Sequence, residues 1–356
     1  MTHLEKFQQK LAEVADAALV SSPQNRFYLS DFSYSDGYLV IFPGEAFLLT
    51  DFRYAEAARN GAAPALCVLS PDCSMLEAVR QLLAERGAKT LLIEENDITV
   101  AARERLSQTL GEIDLTSGGS AILRELRVIK DERELAAIAA AQEITDAAFS
   151  HILGFLAPGV REIDVALELE FFMRRAGASG IAFSTIAVSG SASSLPHGVP
   201  RSTPLEKGFL TMDFGARVGG YCADMTRTVV IGRADADMKR LYATVLQAQR
   251  TALEMAAAGA LCRTLDAAAR DIIDGAGYAG CFGHSLGHGV GIDIHEAPHL
   301  SRAAGDAVLC PSHVVTVEPG IYLEGKYGCR IEDMIAVMPD GSICNFTKSE
   351  KELIEI

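Results

Sequence analysis

No two of the eight cysteines, at positions 67, 73, 222, 262, 281, 310, 329 and 344, form a CxxC pair. That spacing argues against a zinc finger or a secreted disulfide framework, and scattered single thiols point to a reducing compartment. Basic charge is scarce: 32 Lys and Arg stand against 47 Asp and Glu, a formal net charge of −15 with a pI near 5.0. A nucleic-acid partner would need a basic face, so none is expected. No uncharged apolar run reaches about 18 residues, so no membrane span is expected. The opening Met1-Thr2-His3-Leu4-Glu5-Lys6 begins an amphipathic helix rather than a signal-peptide core. The expectation is a cytoplasmic protein. Internal repeats and low-complexity segments are also missing.

What is present is a globular composition, 49% hydrophobic and 22% charged over 356 residues, a length that suits two domains. In the first third, residues 17–20, 38–42, 47–50, 66–69 and 90–93 read as strands, with Pro43-Gly44-Glu45 as a turn. Residues 75–86 have helical periodicity and stop at Gly87. Strand, helix, strand predicts a small α/β domain with no glycine fingerprint and no catalytic constellation. Ser117-Gly118-Gly119-Ser120 is the most linker-like stretch. It sets a boundary between domains 1–121 and 122–356. A single long helical pattern then runs over 122–155, stopped by Pro158-Gly159, and a second helix covers 162–177. Beyond Ile181 the texture becomes strands, hairpins and glycine-rich loops.

The chemistry lies in that half. Residues 209–213 and 221–226 read as strands flanking Val218-Gly219-Gly220. A turn centred between Val218 and Gly219 would set Asp213 opposite Asp224, with Cβ atoms roughly 4.5–5.5 Å apart. Thr226 would share the face of Asp224 and brace it. The pattern recurs with Val314-Val315-Thr316-Val317-Glu318 and Arg330-Ile331-Glu332-Asp333-Met334-Ile335, whose midpoint between Glu318 and Glu332 is Gly325. Arg330 shares the face of Glu332. One carboxylate pair could be solvated strand decoration. Two matching hairpins, whose acids are flanked by apolar residues, instead call for a cation, because burying unpartnered carboxylates costs several kcal/mol.

Between the hairpins, Gly283-His284-Ser285-Leu286-Gly287-His288-Gly289-Val290-Gly291 is too glycine-rich for a helix. The glycines would let backbone approach a ligand closely. At least one of His284, His288, His295 and His299 is expected to bind metal, and His197 on a loop is a fifth candidate. Four carboxylates with an imidazole carry too much negative charge for one ion. Two divalent cations about 3.5–4 Å apart, the spacing of known two-metal sites, account for the set.

At these residues the sequence resembles the pita-bread metallopeptidases of the aminopeptidase P and prolidase branch. The stretches are LPHGVP (195–200), MDFGARVGGYCADMTRT (212–228), GHSLGHGVGIDIHEAPHL (283–300), VEPGIY (317–322) and RIED (330–333). The first third is similar to the creatinase-type domain that precedes such catalytic domains, DFRY (51–54) included. The resemblance implies an α/β N-terminal domain followed by an α+β pita-bread catalytic domain. It implies two divalent ions per chain, manganese foremost with cobalt or zinc as alternatives, held by Asp213, Asp224, His288, Glu318 and Glu332. It further implies that His197 and His295 steady the substrate carbonyl and that Glu318 also shuttles the proton. Arg330 would brace the RIED strand, and a homodimer would act on short proline-containing peptides by cleaving the bond before proline. Methionine aminopeptidases, creatinase-like hydrolases and inactive binding proteins share the fold, but the complete ligand set and the N-terminal domain favour the Xaa-Pro reading. One departure stands out. Prolidase-like sequences often carry arginine four residues after the HE histidine, where this chain has His299. That leaves dipeptidase action open and tilts the reading towards an aminopeptidase.

Overall fold

A computed structural model describes residues 1–356, which divide into two compact units, Met1–Arg127 and Val128–Ile356. The sequence reading placed the boundary at the linker-like stretch, after residue 121. In the structure α6 (Gly119–Val128) runs on from that stretch to the end of the first unit.

The first unit holds one six-stranded sheet. Its strands are β1 (Ala17–Val20), β2 (Gly37–Ile41), β3 (Ala46–Thr50), β4 (Leu66–Leu69), β5 (Thr90–Ile93) and β6 (Asp114–Thr116). They lie in the order β4-β3-β2-β1-β5-β6. Helices α1 (His3–Leu11), α2 (Pro23–Ser30), α3 (Phe52–Gly61), α4 (Met75–Glu85) and α5 (Val100–Leu110) alternate with them, which makes this the expected α/β unit. Local signals set the helix ends. The Ser74 side chain accepts from the Glu77 amide at the start of α4, and Gly87 takes φ +64 just past its end. Val79, Leu82 and Leu83 of α4 pack on Leu91 and Ile93 of β5.

The second unit opens with α7 (Glu132–Phe155) and α8 (Glu162–Arg175). The sequence had read one helix over 122–155, and the structure breaks it. Asp131 leaves helical geometry, accepts from the Glu134 amide and receives the Glu134 side chain on its own amide, a capping box that starts α7 afresh. Strands β7 (Gly180–Ile181), β8 (Ile186–Ser189), β9 (Gly208–Phe214), β10 (Ala216–Val218), β11 (Tyr221–Cys222) and β12 (Met225–Ile231) follow. Then come two helices that the sequence reading missed, α9 (Ala236–Met255) and α10 (Cys262–Ile273). Their signals were available: Asp235 caps α9, and Met238, Leu241, Tyr242, Val245 and Gln249 repeat at helical spacing on its buried face. The remaining strands are β13 (Gly287–Gly289), β14 (Glu296–Leu300), β15 (Val314–Val317), β16 (Gly320–Leu323), β17 (Tyr327–Arg330), β18 (Asp333–Val337) and β19 (Ile343–Asn345).

These strands form sheets β12-β9-β8, β11-β10-β7, β14-β13-β15-β18-β19 and the pair β16-β17. One apolar cluster joins α7 and α8 to β9, and a larger one gathers α9 and α10 over β15, β17 and β18. No helix is long and apolar enough to cross a membrane.

Candidate metal centre

The two hairpins differ in register. In the second, Gly320 pairs with Arg330 and Val317 with Asp333, so Glu318 and Glu332 face each other across a turn centred on Gly325, which takes φ +69. That is the expected arrangement. In the first, the turn is Gly219-Gly220, with φ +55 and +87 as a primed turn requires. The register therefore centres between the two glycines rather than between Val218 and Gly219. Arg217 pairs with Cys222, and Asp213 pairs with Thr226, not with Asp224. Asp224 instead lies on the diagonal from Asp213, a position still within reach across a ladder. Nor does Thr226 brace Asp224. Its hydroxyl accepts from Arg330 Nε at 2.9 Å and donates to Glu332 Oε2 at 2.7 Å.

Two of the glycines around His288, Gly287 and Gly289, serve strand packing. A Cβ on Gly287 would sit 2.0 Å from the Thr316 carbonyl oxygen, and one on Gly289 would sit 2.1 Å from that of Ala297. Only glycine lets β13 lie this close between β14 and β15. His288 Nδ1 is 3.1 Å from its neighbour's carbonyl, that of Gly289, so it carries the proton and donates. Nε2 then faces Glu318 Oε1 at 3.2 Å and Asp224 Oδ2 at 3.5 Å.

Ligand atoms of Asp224, His288 and Glu332 lie within 4.8 Å of one another, all buried. Arg330, 3% exposed, donates from Nη2 to Asp213 Oδ2 at 2.6 Å. This leaves Asp213 Oδ1 and Glu332 Oε1 buried without a hydrogen-bond partner. Each carboxylate has one oxygen held and one bare. Bare buried carboxylate oxygens beside an imidazole nitrogen that can give up its proton suit a divalent cation.

Electrostatics point the same way. Burial, followed by the charges of neighbouring acids, raises the pKa of Asp224 and Glu332 well above the usual carboxylate range. Asp213 is raised by burial and Glu318, against the pull of Arg330. Burial also opposes ionisation of Glu318, but the bond from His288 and the charges of His288, His284 and Arg330 outweigh it and hold that carboxyl at about 2. A cation would keep all four ionised and release the protons that the bare cluster takes up.

Asp213, Asp224, His288, Glu318, Arg330 and Glu332 line one cavity of about 490 Å³, with His197 and His295 on its exposed side. His284 and His299 reach it too. The eight residues to which the resemblance gives a role thus share a single cleft with the other two candidate histidines.

Residues 136–339 match the model of Metallopeptidase family M24, and residues 3–129 that of the Creatinase/Prolidase N-terminal domain. The chain belongs to metallopeptidase family M24. Among solved structures similar to it, the Xaa-Pro dipeptidase from Bacillus anthracis is 39% identical, each chain covered over 99%, with a TM-score of 0.95. The X-Pro aminopeptidase from Thermotoga maritima MSB8 is 34% identical over 98% of this chain and 99% of that one, at a TM-score of 0.91. The prolidase from Pyrococcus horikoshii OT3 is 34% identical over 99% of both chains, also at 0.91. These likenesses put the chain in the aminopeptidase P and prolidase branch. It is a metallopeptidase with a creatinase-type α/β domain followed by an α+β pita-bread domain.

Several side chains that hold the M24 site in shape were missed in the sequence. Thr316 accepts from the His288 amide at 3.1 Å and donates to Glu318 Oε1 at 3.1 Å, two residues along the same strand face. Tyr322 accepts from Arg330 Nη1 at 2.7 Å. Its hydroxyl is also 2.9 Å from His284 Nε2, to which it donates, because His284 Nδ1 gives its proton to the Ser285 carbonyl. Burial pushes the Tyr322 phenol up to about 12, so it stays neutral. From α10, Asp266 accepts from the Leu286 amide at 3.0 Å, while Arg270 donates to the carbonyls of Phe282 and His284, which pins the loop leading to His288. Thr316 was detectable from its i−2 spacing to Glu318. The contacts of Tyr322 and Asp266 depend on how distant strands and helices meet, and no local pattern announces them.

Proposed function

We propose that the chain is a metal-dependent exopeptidase that hydrolyses the Xaa-Pro bond of short peptides. Two divalent ions are held by Asp213, Asp224, His288, Glu318 and Glu332. The observation that carries the reading is the pair of bare oxygens, Asp213 Oδ1 and Glu332 Oε1, buried beside His288. Charge argues for two ions. Four carboxylates against the one guanidinium of Arg330 leave an excess of three negative charges, more than one dication offsets. An oxygen-rich donor set favours manganese, with cobalt or zinc as alternatives.

When bound, such ions supply a water acidified to near neutral pH and a polarised scissile carbonyl. Glu318, oriented by Thr316 and His288, takes the proton of the attacking water and passes it to the departing nitrogen. His295 and His197 donate to the carbonyl oxygen as it gains charge. Partial burial and the nearby His288 lower the pKa of His295, so at neutral pH it is an uncharged N–H donor. The amide before proline has no N–H, so recognition falls to shape. Phe183, Ile186 and Ile294 supply apolar walls on the cavity.

His299 stands on the cavity wall at the position where prolidase-like sequences often carry arginine. An imidazole lacks the two-pronged donor fork of a guanidinium and is a weaker partner for a dipeptide's free carboxylate, which favours aminopeptidase action on longer peptides. Dipeptidase action is the second reading, supported by the Bacillus anthracis relative that bears that name. The eight free cysteines support a reducing, cytoplasmic setting, and a homodimer is the expected assembly. Rates on Ala-Pro and on Ala-Pro-Ala with manganese-loaded protein test the reading. Faster cleavage of the tripeptide is expected. Cleavage of Ala-Pro alone would select the dipeptidase, and cleavage of neither would reject Xaa-Pro hydrolysis.

A further inference from the structure

Arg227 lies on β12 next to Thr226, is 1% exposed, and uses every part of its guanidinium. Nη1 donates to the Thr226 carbonyl at 3.0 Å and to the Glu332 carbonyl. Nη2 donates to Asp333 Oδ1 at 2.8 Å and to the Ser349 carbonyl at 2.9 Å, and Nε donates to the Glu350 carbonyl at 3.0 Å. A guanidinium has five N–H donors, and here five bonds join three things: the two metal-facing hairpins, a buried carboxylate, and the last stretch of the chain.

That last stretch is tied down along its length. Asp146 on α7 accepts from the amides of Lys348 and Ser349, both at 2.9 Å, and from the Ser349 hydroxyl at 2.5 Å. Lys351 Nζ reaches Asp333 Oδ2 at 2.6 Å, and Tyr242 on α9 donates to the Lys351 carbonyl at 2.9 Å. Val230 of β12 then pairs with Ile354 and Ile356 through backbone bonds of 2.8 and 2.9 Å. The Glu332 amide in turn donates to the Thr226 carbonyl at 3.1 Å. The peptide that presents the Glu332 carboxylate is therefore held between β12 and the C-terminal segment, with Arg227 as the joint.

We infer that Arg227 is a positioning residue of the metal centre, and that residues 346–356 are the strap that holds it in place. An intact C-terminal segment is then a condition for metal loading. The inference rests on Glu332 being a ligand. Groups just behind metal ligands typically change affinity by about 10–100-fold when removed.

The test uses the full chain as wild type, Arg227→Lys and Asp146→Ala, each stripped of metal and titrated with Mn²⁺ by calorimetry, with circular dichroism as the check on folding. The Asp146 carboxylate hydrogen-bonds to Lys348 and Ser349 of the strap, so its loss loosens the strap from its far side. Both variants should bind Mn²⁺ more weakly, by about 10-fold or more. Their kcat should fall at limiting Mn²⁺ and recover at saturating Mn²⁺, a rescue that a merely structural role would not give. Unchanged affinity in folded Asp146→Ala overturns the strap, and unchanged affinity in folded Arg227→Lys overturns the positioning role. Wild type that binds no Mn²⁺ rejects the ligand assignment instead, so the two failures are distinct.

Discussion

Removing divalent ions should reverse the usual pH dependence of stability around the carboxylate cluster. Asp224 and Glu332 have folded pKa values raised by burial and then by the charges of neighbouring acids, Glu332 foremost for Asp224 and Glu318 foremost for Glu332. A group of this kind stabilises the fold fully below its unfolded pKa, about 3.9 for Asp and 4.3 for Glu. That contribution is lost as pH climbs through the higher folded value. The ring of His288, raised by its bond to Glu318 against the effect of burial, acts in the same direction near neutrality. Ion-paired acids such as Asp333 and Glu162, whose pKa values are lowered, are already ionised above about pH 5 and contribute no slope beyond it. His313, held by burial at about 4, opposes the trend, but it stands outside the cleft and titrates alike with and without metal.

The informative quantity is thus the gap between metal-free and manganese-loaded protein. An ion at 100 times its Kd stabilises by about 2.7 kcal/mol. A unit of this size moves by roughly 2–4 °C per kcal/mol, so the melting temperature should rise by about 5–11 °C per site at pH 8. At pH 5 the shift should be smaller, because protons compete for the same oxygens. Asp224→Asn should flatten the metal-free profile and abolish most of the shift. Scanning calorimetry across about pH 5–8 is the assay. A manganese shift that is absent, or equal at both ends of the range, would refute the view that these acids are held together for a cation.

Asp213→Ala and Glu332→Ala should each abolish peptidase activity and lower the bound metal below two ions per chain, as measured by elemental analysis of desalted protein. His295→Ala should keep its metal and lose kcat on the order of 10²-fold, the usual cost of a lost oxyanion donor. If elemental analysis finds that His295→Ala has lost its metal, the ring is a ligand and the assignment of roles fails.

The sequence was most legible where structure is local. Strands β1, β4 and β5 fall on the residues read from their apolar runs, and α4 ends beside the glycine that marked its stop. The second hairpin was legible because a glycine stood at its midpoint and could take the left-handed turn. The first misled by one residue at its turn because two adjacent glycines were available, and the primed turn used both. A shift of that kind changes every cross-strand partner. The four acids still share one cleft, because the diagonal neighbours of a ladder also lie within side-chain reach. The loop carrying His284 and His288 could be found, but not the α10 residues that anchor it. Asp266 and Arg270 read like any i,i+4 pair on a helix surface.

Burial alone does not separate site from scaffold in this chain. The second unit buries several charges that match partner for partner: Glu162 with Arg201, Lys130 with Glu296, Asp266 with Arg270, and Asp333 with Arg227 and Lys351. In the first unit, buried Glu94 is met by the amides of Ser21 and Ser22, the Ser22 hydroxyl and the Asn25 side chain. Each of these groups is satisfied where it stands, and folding explains it. Among the buried carboxylates of the second unit the matching fails around Arg330, with Asp213, Asp224, Glu318 and Glu332 set against one guanidinium and two carboxylate oxygens left bare. A chain folds around such an imbalance at a cost of several kcal/mol unless something absent from its own sequence offsets it. That unmet charge, rather than the depth of the cleft, marks the place where the fold has been spent on chemistry.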